Sequence, residues 1–72
     1  MVPSGSHPAW AKLVKGDIDH QFKPASAGML FFSLRRKYKQ DPSALSSCVQ
    51  EARAFFEKYE RILADDMKRI FG

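Results

Sequence analysis

From Pro8 onward the apolar residues recur at the spacings of helices rather than the alternation of strands. Trp10, Leu13, Val14, Ile18 and Phe22 follow at steps of 3, 1, 4 and 4, which places them on one helical face. From Pro24 to about Gln40, Ala27, Leu30, Phe31, Leu34 and Tyr38 form one stripe, and Ala25, Met29 and Phe32 form a second beside it. A helix apolar over so much of its circumference is normally covered on more than one side, so this one is expected to be central. After Asp41-Pro42-Ser43 comes the clearest signal. Leu45, Cys48, Val49, Ala52, Phe55, Phe56, Tyr59, Ile62, Leu63, Met67, Ile70 and Phe71 keep helical steps nearly to the end of the chain.

Pro8, Pro24 and Pro42 each stand where a helix can begin, because proline presets φ and lacks only an N–H that a first turn leaves unpaired. Gly16-Asp17 is a candidate break in the first helical segment, and Ser47 with Gln50 forms a weak capping box that would start the third helix late, near residue 46. Short connections at Phe22-Lys23 and Gln40-Asp41 make successive helices antiparallel neighbours. The expected fold is therefore all-α, a small three-helix up-down-up bundle with a long third helix. A helix over residues 44–71 would run about 40 Å, against about 24 Å for the second. Residues 1–7, Met1-Val2-Pro3-Ser4-Gly5-Ser6-His7, resemble a tag remnant or a disordered N-terminus, which leaves residues 8–72 as a single helical domain.

With 72 residues, a second folded unit is excluded, and a core this small yields only about 3–5 kcal/mol beyond its entropy cost. The lone Cys48 rules out an internal disulfide and suits a reducing compartment, so cytoplasm or nucleus is expected. The net charge of +4 is uneven: residues 1–40 hold seven cations against two carboxylates, and residues 41–72 hold five against six. That asymmetry favours encounter with an acidic partner, nucleic acid or anionic lipid. The longest apolar run, Met29-Leu30-Phe31-Phe32, is far short of the roughly 20 residues of a membrane span.

Catalytic and metal chemistry find little to stand on. Asp17, Asp19 and His20 lie close in sequence, but lack the further oxygens of a calcium loop and the three or four Cys or His ligands of zinc, so they read as a solvated turn. Cys48 lies on the apolar stripe with no His arranged as its base, and Asp65-Asp66 point about 100° apart on a helix and read as a solvent-facing end. No cofactor is expected, and the protein is read as a non-enzyme.

Two features remain. Arg35, Arg36, Lys37 and Lys39 crowd the end of the second helix, where cations complement the dipole and can also rim a binding surface. The Phe31-Phe32 and Phe55-Phe56 pairs present adjacent rings in different directions, so one of each pair is either flanked inside the bundle or displayed. Together they predict a protein–protein interaction module that takes a peptide or helix in an apolar groove between helices two and three. Phe32, Phe56, Tyr59, Met67 and Phe71 are its candidate apolar contacts. Arg35, Arg36, Lys37 and Lys39 are its candidate basic rim, suited to an acidic partner. Self-association into a homo-oligomer through the third helix is the natural variant, and nucleic-acid binding through residues 35–39 is the alternative.

Overall fold

Each of the three prolines opens a helical element. A computed structural model describes residues 7–71, which are all-helical apart from their connections: α1 is Pro8–Lys15, α2 is Ala25–Gln40, α3 is Leu45–Lys58 and α4 is Ala64–Phe71. A single turn of 3-10 helix, Pro42–Ala44, leads into α3. Residues 1–6, read as a tag remnant or disordered start, lie outside the described residues. His7, grouped with them on sequence grounds, belongs to the fold, because its Nδ1 accepts from the Ala9 N–H at 3.1 Å and caps α1. Among the described residues no helix is long and apolar enough to cross a membrane.

Gly16 ends α1. Its φ of +87° is the left-handed conformation that glycine adopts without a Cβ clash. This lets Asp17 N–H reach the Lys12 carbonyl at 2.8 Å and Gly16 N–H the Leu13 carbonyl at 3.3 Å, closing the helix. The chain then runs without helix to Pro24. Ile18 and Phe22, expected on the α1 face, therefore enter the core from a connection.

The expected long third helix is not observed. The body measures 31 × 24 × 20 Å, too small for a straight helix of about 40 Å. The chain turns at residues 59–63 between α3 and α4, with no glycine or proline there to break it. Packing explains the bend. It lays Phe71 against Trp10, with ring centroids 4.7 Å apart, and buries Leu63 and Met67 with the core. Covering each such side chain is worth about 1.5–3 kcal/mol. The intrahelical hydrogen bonds given up at a solvent-facing turn are worth about 1 kcal/mol each. The α-helical part of α3 begins at Leu45, after the 3-10 turn, and it does so without the Ser47–Gln50 capping box, since it has no side-chain cap.

Phe56 is the hub of the core. Its ring meets Trp10 of α1 edge-on at 5.0 Å, Phe31 of α2 at 5.8 Å, Phe22 of the first connection at 5.9 Å and Phe71 of α4 at 6.4 Å. Phe22 stacks on Phe31 at 5.2 Å and closes the cluster. Leu13, Val14, Ala27, Leu34, Cys48 and Ala52 fill the space around it.

Replacing Phe56 by Ala removes a fully buried aromatic at a cost of about 3–5 kcal/mol, as much as the whole domain's margin. Circular dichroism at room temperature should show the variant largely unfolded. A wild-type spectrum and melting curve would deny Phe56 its central role.

Candidate functional site

The side of α2 that faces away from the core is its most unusual surface. Ala27, Phe31 and Leu34 turn inward and are buried. Ala25, Met29, Phe32, Arg36 and Lys39, at steps of 4, 3, 4 and 3, share one stripe on the other side and are all exposed. Met29 keeps 71% and Phe32 62% of their surface in contact with solvent, so the second apolar stripe of α2 stays open although α1 and α3 both pack on the helix. Gly28 adjoins Met29, and a Cβ placed there would meet nothing within 4 Å. The stripe is apolar over its first two turns and cationic beyond.

The expected basic rim is divided by the fold. Arg35 is withdrawn from it: its Nε donates to the Leu13 carbonyl at 3.1 Å and its Nη2 to the Ile18 carbonyl at 3.3 Å. A cation at the carboxyl end of α1 answers the helix dipole and ties α2 to that end, a structural strap that spacing alone did not disclose. Lys37 faces α3, 4.0 Å from Glu51, with both side chains more than half exposed. Arg36 and Lys39 remain on the outward stripe.

A groove of about 440 Å³ does lie between α2 and α3, but it is not apolar. Leu30 and Leu34 are its apolar lining residues, and Arg36, Lys37, Gln40 and Glu51 make the rest mostly polar or charged. None of the five expected apolar contacts lines it. Phe56 and Met67 are buried in the core, which corrects the expectation that Phe56 is the displayed ring of its pair. Phe55 takes the outer place, half-buried and 4.7 Å from the Tyr59 ring, which also lies 5.5 Å beneath the Lys58 ammonium. Phe71 is half-buried between Trp10 and His7. Of the five, Phe32 alone is largely exposed.

His20 and Asp66, both read as solvent-facing, meet instead. Asp66 is 2% exposed, and its Oδ1 lies 2.7 Å from His20 Nε2, a bond between α4 and the α1–α2 connection. Which of the two atoms donates follows from the imidazole tautomer. Phe22 packs edge-on against the imidazole at 4.8 Å, while Asp66 Oδ2 is buried without a partner. Next to this clasp, Lys23 and Asp65 form an exposed pair at 3.5 Å. The missed signal was the position of Asp66, which falls on the Leu63–Met67–Ile70 stripe rather than opposite it.

Among the described residues no three His, Cys, Asp or Glu side chains gather to hold a metal ion. Cys48 is buried, and its Sγ donates to the Leu34 carbonyl at 3.8 Å. Burial pushes its thiol above the ordinary range, with the Lys37 charge opposing and Glu51 and Asp41 adding to the rise. The geometry is that of a packed side chain rather than a nucleophile, which needs its thiolate.

Two measurements follow from these buried groups. Changing His20 to Ala strands the Asp66 carboxylate and should cost about 3 kcal/mol, read from urea midpoints followed by Trp10 fluorescence. Adding Asp66→Leu should recover most of that loss, and equal midpoints for all three proteins would show that the clasp contributes nothing. The unfolded Cys48 thiol ionises at lower pH than the folded one. Its contribution is therefore whole below the unfolded range of about 8.5 and falls as pH climbs beyond it. The stability difference between wild type and Cys48→Ala should shift against wild type from about pH 7 to about pH 10, and a constant difference would contradict the buried-thiol account.

No family model, no curated protein and no solved structure matches this chain.

Proposed function

We propose that the protein is a small helical module for protein–protein interaction, and that it receives a partner's helix or peptide on the outward face of α2 rather than in a groove between α2 and α3. The observation that carries this reading is the exposure of Met29 and Phe32 side by side in a domain that otherwise hides its large rings. A contiguous apolar surface rimmed by charge is the usual mark of a binding site. Burying both side chains supplies about 3–6 kcal/mol, short of the about 8 kcal/mol of a micromolar complex. Contacts around them must contribute the remainder. Arg36 and Lys39 stand at one end of the stripe and Ala25 at the other.

Nucleic-acid binding is the weaker reading. Arg35 is engaged with backbone carbonyls and Lys37 faces Glu51, which leaves Arg36 and Lys39 as the unengaged cations of residues 35–39 to meet a phosphate backbone. Base stacking along a strand wants several displayed aromatics, and among the described residues Phe32 is the one largely exposed ring, with Trp10, Phe31 and Phe56 buried.

Selection of displayed helical peptides against the full chain tests the proposal. Enriched peptides should lose binding to Met29→Glu and Phe32→Glu variants whose melting temperatures stay within a few degrees of wild type, since neither side chain belongs to the core. Enrichment of nothing, or of peptides indifferent to both substitutions, would overturn it.

A further inference from the structure

We infer that the occupant of this face is an acidic amphipathic helix of a partner protein, lying antiparallel to α2; the inference rests on the interaction-module reading. The stripe itself states the complement. Its amino-terminal half offers Ala25, Met29 and Phe32, its carboxyl-terminal half offers Arg36 and Lys39, and α2 holds no carboxylate anywhere along its length. A helix that covers it must be apolar at one end and negative at the other.

Gly28 adds an independent indication. Glycine inside a helix costs about 1 kcal/mol relative to alanine, and a Cβ at Gly28 would meet nothing within 4 Å. A flat spot beside Met29 and Phe32 lets a second helix axis approach to about 8 Å. Orientation follows from the dipole. Carboxylates are favoured in a helix's first turn, and to meet Arg36 and Lys39 that turn must lie over the carboxyl end of α2. The matched segment, from residue 25 to residue 39, is about 21 Å, or four turns. A second copy of α2 is a poor complement, because it brings further cations and no carboxylate.

The test uses the full chain and a fluorescein-labelled helical peptide of about four turns, with Glu in its first turn and Leu at steps of 3 and 4 thereafter. Fluorescence anisotropy should show binding that weakens with added salt and fails for Phe32→Glu. An otherwise identical peptide with Lys in place of Glu should bind at least tenfold more weakly, and Arg36→Glu with Lys39→Glu should weaken the acidic peptide about tenfold. A spin label on the peptide's amino terminus should broaden the amide signals of Arg36 and Lys39 and spare that of Ala25. Equal binding of both peptides, or broadening at Ala25 instead, overturns the acidic antiparallel helix while leaving the interaction module standing. Failure of both peptides, together with failure of the displayed-peptide selection, removes both. Tighter binding of duplex DNA than of the acidic peptide, or a dimer in sedimentation that Phe32→Glu dissolves, assigns the face to a different occupant.

Discussion

Phe56 touches rings from α1, α2, α4 and the connection between the first two helices, so the four elements share one contact point. Edge-to-face ring pairs are worth about 0.5–1.5 kcal/mol beyond the area that they bury. In a chain with one cysteine this cluster does what a disulfide framework does in other small domains. Every other arrangement answers to it. The turn at residues 59–63 exists to bring Phe71 and Met67 back to it, and the strap from Arg35 holds α1 at the angle that delivers Trp10.

The consequence for the surface is that α2 is a helix of two minds. Its inward face meets the cluster through Phe31, while its outward face repeats apolar chemistry with nothing of this chain against Gly28. Local composition resembles that of a buried helix, yet the domain has too few elements to wrap it. α1 and the first connection lie on one side and α3 on the other. The stripe of Met29 and Phe32 is left open to solvent.

The first three helical starts and the inward stripes were legible in the sequence, since proline position and a 3–4 period are local properties. The bend between α3 and α4 was not. Phe56, Leu63 and Met67 are separated by 7 and 4 residues and keep helical register across the turn, so periodicity reads straight through it. Which ring of Phe55-Phe56 turns inward was equally hidden, because both neighbours of the helix had to be known. The clasp joins residues 46 apart, and its one local sign was a carboxylate on an apolar stripe. Of the candidate surface, Phe32 and the outward cations were readable. Gly28 was not, because its meaning lies in empty space around it.

His7 and Phe71 lie with ring centroids 5.0 Å apart, although they stand at opposite ends of the described chain. The fold is thus a nearly closed circuit in which the first turn and the last turn are neighbours. In single domains, closely spaced ends of this kind are the geometry in which circular permutation and insertion into a host loop are tolerated.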